Sequence, residues 1–149
     1  MSKPETNRIE KQIVLQAPPS RVWRALTDVQ EFGAWFGVEL AGRFAPGARL
    51  TGQVTNPGYE HLIMDITIED MEPERLLSWR WPFEAGGEAM TRVVFELEPV
   101  PEGTRLTIVE SGFDRLPLER RAEAYRGNEE GWTAQMQQIE RHVAASRAG

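Results

Sequence analysis

Two glutamates stand at positions where the surrounding pattern is apolar. Glu110 continues the alternation of Leu106 and Ile108 along a predicted strand, and Glu129 falls on the apolar stripe of a predicted helix. A carboxylate that faces an apolar cavity is costly unless it is paired or hydrated. Such a group could orient a ligand hydroxyl or amine, or serve as an acid or base. The alternative is that each glutamate lies near the end of its element and reaches solvent.

The five tryptophans form the second set of candidates. Trp35 follows the first predicted helix, Trp79 and Trp81 alternate along a strand, and Trp132 lies within the apolar stripe of the last helix. These four side chains could form the wall of an apolar cavity, because indole rings offer large and stiff contact surfaces. The alternative is that they are core residues, as we expect for Trp23. Strand register decides which face Trp79 and Trp81 occupy.

Metal and cofactor chemistry has little support in the sequence. The chain has no cysteine, which excludes disulfides, thiolate nucleophiles and cysteine-based metal sites. The two histidines, His61 and His142, lack the spacing of a metal motif such as H-E-x-x-H. The pair Gly86-Gly87 does not stand between a strand and a helix, as a phosphate-binding loop would. We therefore expect neither a metal nor another cofactor.

The charge balance restricts the partners. Lys and Arg number 17 and Asp and Glu number 23, which gives a net charge of −6. An acidic chain is a poor match for a nucleic acid or an anionic membrane surface. No apolar run approaches the roughly 20 residues of a membrane-spanning helix, and the first residues do not resemble a signal peptide. We expect a cytoplasmic protein.

The length of 149 residues suits one domain, which we place at residues 8–146. Residues 1–7 are polar and are predicted to be a flexible N-terminus. Alternation over residues 8–16 predicts a strand, and Pro18 and Pro19 predict its end and the start of the first of two short helices. From residue 38 to 112, short alternating runs separated by turn signals predict six consecutive antiparallel strands.

After Phe113 the apolar period changes to that of a helix. Steps of four and three residues predict one helix of about 30 residues. The stripe consists of Leu118, Ala122, Tyr125, Glu129, Trp132, Met136, Ile139 and Val143. Gly127 followed by Asn128 is typical of a helix end and a new N-cap, so we expect a bend or break there.

This order of elements predicts an α+β fold. A curved six- to seven-stranded antiparallel sheet would wrap around the long C-terminal helix, with two short helices after the first strand. A sheet that does not close fully on the helix leaves a concave apolar cavity, the usual form of a small-molecule site. The predicted ligand-binding residues are Trp35, Met64, Trp79, Trp81, Phe95, Glu110, Tyr125, Glu129, Trp132 and Met136.

Three segments carry a resemblance to a known family. They are Ala17-Pro18-Pro19-Ser20-Arg21-Val22-Trp23-Arg24-Ala25-Leu26-Thr27-Asp28, the strand text from Thr104 to Phe113, and Gly131-Trp132. With the order of elements, they resemble the START-like (SRPBCC) superfamily. The similarity is to its bacterial branch related to the C-terminal domain of the heat-shock-protein-90 ATPase activator. The resemblance spans residues 8–145 and implies a helix-grip fold.

The resemblance implies several functions, because the superfamily includes lipid carriers, hormone receptors, cyclases, dioxygenase domains and co-chaperone domains. Our leading hypothesis is the binding of a small apolar or amphipathic molecule between the sheet and the C-terminal helix. A second hypothesis is a co-chaperone-like module that acts on a heat-shock ATPase. A third is a cyclase-like enzyme in which Glu110 moves protons. We expect a binding protein rather than an enzyme.

Overall fold

The computed structural model describes residues 8–82, 90–113 and 118–148, and within α3 it describes the side chains of residues 126–144. The expected flexible N-terminus, residues 1–7, lies outside the described residues. The elements in chain order are β1 Arg8–Leu15, α1 Pro19–Thr27, α2 Val29–Phe36, β2 Val38–Ala41, β3 Arg49–Val54, β4 Ile63–Glu72, β5 Leu76–Pro82, β6 Met90–Val100, β7 Gly103–Ser111 and α3 Leu118–Ala148.

The described strands form one seven-stranded antiparallel sheet in the order β1-β7-β6-β5-β4-β3-β2. Strands β2 to β7 follow one another as a meander, as the short turns between them predicted. Strand β1 lies at the far end beside β7, where Ile9 pairs with Glu110 and Leu15 with Thr104. The predicted α+β fold, a curved antiparallel sheet with a long C-terminal helix, is confirmed.

Helix α3 covers the inner face of the sheet with the predicted stripe. Trp132, Met136, Ile139 and Val143 are buried along it. The helix continues without interruption through Gly127, so the expected break at this glycine is wrong. A helix interior tolerates one glycine at a cost of about 1 kcal/mol, which the packing of the long stripe can offset.

Helices α1 and α2 place an aromatic cluster over the sheet. Asp28 caps α2 by accepting hydrogen bonds from the backbone N–H groups of Gln30 (2.9 Å) and Glu31 (3.0 Å). The helix ends at Gly37, whose φ of 90° is the left-handed conformation that glycine adopts without strain. The cap and this sharp end fix the three aromatic residues of α2, which are Phe32, Trp35 and Phe36.

The space between α2 and the sheet is filled by aromatic rings. The centroid of Phe32 lies 5.1 Å from that of Trp35 and 6.5 Å from that of Trp79. Trp79 in turn packs against Phe95, with 5.6 Å between the ring centroids. Phe32, Trp79 and Phe95 are fully buried. The inner face of the sheet is therefore the face that carries Trp79.

Glu31 links the three helices to one another. Its carboxylate forms ion pairs with Arg21 at 2.8 Å and Arg24 at 2.7 Å on α1, and accepts a hydrogen bond from His142 Nε2 at 3.0 Å on α3. Burial would raise the pKa of Glu31. Hydrogen bonds from His142 and Arg21 and the charges of Arg21 and Arg24 outweigh burial and lower the pKa below its ordinary value.

Residues 8–82, 90–113 and 118–148 include no helix that combines the length and the apolar character needed to cross a membrane.

Replacement of Glu31 by glutamine (Glu31→Gln) should reduce the free energy of unfolding at neutral pH by about 1–3 kcal/mol, because charged hydrogen bonds are lost. The unfolded chain binds the proton first as the pH falls, since the native pKa is lowered. The wild-type advantage should be complete above the ordinary glutamate pKa of about 4.3 and should vanish as the pH falls through the lowered value. Urea denaturation of the two proteins at several pH values measures this difference in the free energy of unfolding.

The exposed Glu140 on α3 provides the control for this experiment. Glu140→Gln should change the free energy of unfolding by less than about 0.5 kcal/mol. A difference between wild type and Glu31→Gln that stayed constant down to about pH 3 would contradict the lowered pKa.

Replacement of Gly52 and of Gly131 by alanine should change the free energy of unfolding in opposite directions. A Cβ at Gly52 on β3 would clash with the carbonyl group of Glu39 on β2, so Gly52→Ala should destabilise the protein by about 1–3 kcal/mol. A Cβ at Gly131 on α3 would meet no atom within 4 Å. Gly131→Ala should therefore stabilise the helix by up to about 1 kcal/mol. Equal effects in thermal or urea unfolding would show that the close approach of β2 and β3 is wrong.

Candidate functional site

A buried carboxylate lies where the sheet meets α3. Glu110 is 0% exposed, and its oxygens accept hydrogen bonds from four side chains. Oε2 accepts from Thr91 Oγ1 at 2.5 Å and from Trp81 Nε1 at 2.9 Å. Oε1 accepts from Trp132 Nε1 at 2.8 Å, and Asn128 Nδ2 lies 3.0 and 3.1 Å from the two oxygens. Strands β5, β6 and β7 and helix α3 therefore meet at one group.

Sheet register and helix periodicity explain this convergence. Trp81 and Thr91 are direct partners across β5 and β6. Glu110 on β7 pairs with Val93, so Thr91 lies diagonally beside it on the same face. Asn128 and Trp132 are one turn apart on α3 and so share one side of the helix. The inward position of Glu110 follows from the alternation along β7 that the sequence showed.

The described hydrogen-bond partners of Glu110 are two indole N–H groups, a hydroxyl and an amide N–H group, which all donate. An ionised carboxylate only accepts hydrogen bonds, so two indole N–H groups, a hydroxyl and an amide match its ionised form. No lysine, arginine or histidine among the described residues forms an ion pair with Glu110. Hydrogen bonds to a charged acceptor are stronger than neutral ones, and they offset part of the cost of burying the charge.

A pocket of about 130 Å³ lies beside this carboxylate, between the end of α2, the end of β5 and α3. It is lined by Phe36, Trp81, Gly127, Asn128, Gly131, Trp132 and Gln135. Gly127 and Gly131 are one helical turn apart, and a Cβ at either would meet no atom within 4 Å. The absence of two side chains on α3 thus leaves this space open.

Three aromatic rings surround the pocket at nearly equal spacing. The ring centroid of Phe36 lies 6.3 Å from that of Trp81 and 6.1 Å from that of Trp132, and the two tryptophan centroids are 6.1 Å apart. The interplanar angles of 60°, 65° and 37° show that the rings are inclined to one another rather than stacked. We call these three residues the aromatic triangle. Both of its indole N–H groups donate to Glu110.

One polar side chain at the pocket, that of Gln135, has a hydrogen-bond acceptor that no described residue uses. Gln135 donates from Nε2 to the backbone carbonyl of Phe36 at 3.0 Å. Its Oε1 is buried and accepts no hydrogen bond from the described residues. An unpaired acceptor beside an apolar space could receive a hydrogen bond from a ligand hydroxyl or amine.

A second depression, of about 380 Å³, lies between the end of β1 and the C-terminal part of α3. It is lined by Val14, Leu15, Gln16, Glu140, Arg141, Val143 and Ala144. No aromatic ring lines this depression, and no buried carboxylate lies beside it among the described residues. The smaller pocket is therefore the better candidate site.

The predicted site residues occupy three kinds of environment. Trp81 and Trp132 line the pocket, and Glu110 lies directly behind them. Five other predicted residues are buried in the core and do not line it, namely Trp35, Met64, Trp79, Phe95 and Met136. Trp35, for example, donates from Nε1 to the carbonyl of Ala25 at 2.8 Å.

The remaining two predicted residues lie on α3. The carboxylate of Glu129 is 45% exposed and lies 3.7 Å from Lys11 Nζ on β1, so Glu129 reaches solvent at the edge of the sheet. This is the second of the two readings that the sequence allowed. Helix α3 includes Tyr125, but its side chain lies outside the described residues.

Several pocket residues were not predicted. Phe36 was not among the predicted site residues, and Gly127 and Asn128 were interpreted as a helix end and cap. Thr91 carried no signal until the β5–β6 register placed it beside Trp81. The spacing of Gly127 and Gly131, one turn apart beside the apolar stripe, was the available signal for an open space on α3.

Metal binding finds no support in the described residues, since no three histidine, aspartate or glutamate side chains among them are grouped as ligands.

The charge on Glu110 can be tested with two buried threonines. Thr91→Val removes a hydroxyl that donates to Glu110 and accepts from Trp81 Nε1 at 2.8 Å, and should lower the free energy of unfolding by about 1.5–3 kcal/mol. Thr104→Val, the control, removes a hydroxyl that donates to the neutral carbonyl of Ala17 at 2.7 Å, and should cost about 0.5–1.5 kcal/mol. Urea denaturation at pH 7 compares them. A smaller loss for Thr91→Val than for Thr104→Val would argue against an ionised acceptor.

Comparisons with known proteins agree on the fold. The chain is similar to a structure from Mesorhizobium loti, with 25% identity, a TM-score of 0.78, and coverage of 93% of this chain and 97% of the other. A protein of the dynemicin biosynthetic locus gives 23% identity and a TM-score of 0.76 over 94% of this chain, but only 48% of that longer chain. The Aha1 dimer from Colwellia psychrerythraea gives 17% identity, a TM-score of 0.73, and coverage of 91% and 95%.

No curated protein matches the sequence. The family described as "Activator of Hsp90 ATPase homolog 1-like protein" matches residues 16–144, which is most of the chain. The seven-stranded sheet, the long C-terminal helix and this match together confirm the predicted resemblance. The chain therefore belongs to the Activator of Hsp90 ATPase homolog 1-like family and has the helix-grip fold of the START-like (SRPBCC) superfamily.

Proposed function

We propose that the protein binds a small apolar or amphipathic ligand, with one ring or branched alkyl group held in the pocket between α2, β5 and α3. The observation that carries this proposal is the aromatic triangle around a space of about 130 Å³. Trp81 and Trp132 donate their indole N–H groups to Glu110, so both polar atoms are satisfied inside the protein. Their apolar ring surface is then available to a ligand.

The size of the pocket limits the buried part of the ligand to about one ring. Apolar cavities of about 150 Å³ are large enough to take benzene. An aromatic group that buries roughly 150 Å² gains about 4 kcal/mol before the cost of association is subtracted, so burial alone supports a Kd of about 1 mM at the tightest. Further affinity has to come from polar contacts and from ligand atoms outside the pocket. Gln135 Oε1 is placed to fix the orientation of such a ligand.

The hydrogen bonds of Glu110 favour binding over the cyclase-like hypothesis. Both carboxylate oxygens already accept from Trp81, Thr91, Asn128 and Trp132. A general base needs access to the proton that it removes. Glu110 lies behind the two tryptophans and does not line the pocket, so a positioning role suits it better than proton transfer.

The family match supports a second candidate, a module that acts on a heat-shock ATPase. An ATPase assay with the host's own heat-shock-protein-90 homologue tests this candidate. Stimulation that survives blocking of the pocket would support a chaperone role that is separate from ligand binding.

Titration with cyclohexanol and benzyl alcohol tests the binding proposal. The indole N–H resonances of Trp81 and Trp132 should shift in ¹H–¹⁵N spectra with a Kd of about 1 mM or weaker, because these rings line the pocket. A leucine at position 131 would lean over the preceding turn, which also lines the pocket, and would fill the space. Gly131→Leu should therefore weaken binding at least about tenfold.

Gln137→Leu is the matched control, since it adds a leucine to an exposed position on the opposite side of α3. It should leave binding unchanged. The absence of saturable shifts with either alcohol up to about 50 mM, or equal binding to Gly131→Leu and wild type, would refute the proposed function.

A further inference from the structure

The charge of Glu110 has no cationic partner among the described residues. Its described hydrogen-bond partners are neutral donors, and its side chain is fully buried. Three of these donors, Trp81, Asn128 and Trp132, also line the pocket. The negative charge therefore lies one side chain behind the pocket wall.

We propose that the pocket selects ligands whose buried group is a cation, specifically a quaternary or methylated ammonium. This inference rests on the proposed function, since it assigns a chemical class to the ligand of the same pocket. Such cations bind between aromatic rings through the negative potential of the ring faces. Their hydrophobic methyl groups also suit an apolar wall better than a strongly hydrated primary ammonium does.

The spacing of the aromatic triangle is compatible with a cation that lies outside the plane of the three ring centroids. With centroids 6.1–6.3 Å apart, the point equidistant from all three lies about 3.6 Å from each in their plane. A cation displaced from that plane toward the pocket opening can stay within the roughly 6 Å of every centroid at which cation–π attraction is significant.

Glu110 strengthens the attraction of two of these rings for a cation. An indole that donates its N–H to a carboxylate is polarised, and electron density moves toward the ring system. Trp81 and Trp132 both donate to Glu110, at 2.9 and 2.8 Å. The carboxylate thus acts on a ligand through the tryptophans as well as directly through the low-dielectric interior. In this proposal Glu110 is a positioning and polarising residue that does not touch the ligand.

The charges around the pocket and over the whole chain favour the binding of a cation over the binding of an anion. No lysine, arginine or histidine lines the pocket among the described residues. The net charge of the chain is −6, which attracts cations to the surface in general.

The test compares two ligands of the same shape that differ in charge. Choline carries a trimethylammonium group, and 3,3-dimethylbutan-1-ol carries a tert-butyl group in its place. The wild-type protein should bind choline at least about tenfold more tightly, as measured by the indole shifts of Trp81 and Trp132. Increasing salt should weaken choline binding and leave the binding of the neutral alcohol unchanged or slightly stronger.

Two variants assign the preference to its sources. Phe36→Leu removes one ring but keeps apolar surface, so it should weaken choline about fivefold or more while changing the affinity for the neutral alcohol less than about twofold. Phe44→Leu, a buried core phenylalanine that does not line the pocket, is the matched control. Glu110→Gln should lower the ratio of the two affinities, and the preference that remains should come from the three rings. If Glu110→Gln does not fold, the wild-type ratio and the two phenylalanine variants decide.

The outcomes separate this inference from the proposed function. Equal affinity for the two ligands, or tighter binding of 3,3-dimethylbutan-1-ol, overturns the cation assignment and leaves a pocket for neutral apolar groups. Equal losses of choline affinity in Phe36→Leu and Phe44→Leu also overturn it. The absence of binding for choline, the neutral alcohol, cyclohexanol and benzyl alcohol overturns both proposals.

Discussion

A buried carboxylate whose described partners are all neutral donors is the constraint on which this structure depends. Removal of Glu110 from water is tolerable only if its oxygens find enough hydrogen bonds. Those hydrogen bonds come from β5, β6 and α3, so the ends of these elements have to meet at one place. A sheet and a helix that could otherwise slide along an apolar interface are fixed there in one register.

The same constraint shapes the candidate binding surface. Because the two indole N–H groups turn toward Glu110, the rings of Trp81 and Trp132 take orientations that core packing alone would not require. Phe36 completes the aromatic triangle from the end of α2, and Gly37 ends that helix directly after it. Two glycines on α3 keep the space in front of the rings open. Stability and recognition thus share one set of contacts.

Local patterns in the sequence were sufficient to predict the helices and strands, but they were not sufficient to predict which residues form the candidate site. Alternation along β7 placed Glu110 on the inner face, because strand periodicity is a property of a single segment. Its four donors come from β5, β6 and α3, and no local pattern specifies how those segments pair. Glu129 shows the limit of the helical stripe. It shares the apolar period, yet at the sheet edge it pairs with Lys11, which also interrupts an apolar alternation. Gly127 was interpreted as a helix end because glycine has a low helix propensity. Packing along α3 overrode that propensity, and the helix continues.

The pairing of the first strand with the last affects biosynthesis. Arg8–Leu15 hydrogen-bonds to a segment that includes Thr104–Ser111, about a hundred residues later in the chain. At a translation rate of 5–20 residues per second, the first strand waits roughly 5–20 s on the ribosome before its partner has been made. During that interval its backbone donors and acceptors are unpaired beside Ile9, Ile13 and Leu15, which are buried or partly buried in the finished fold. The nascent chain therefore passes through a stage in which chaperone binding would protect it from strand-to-strand association with other molecules.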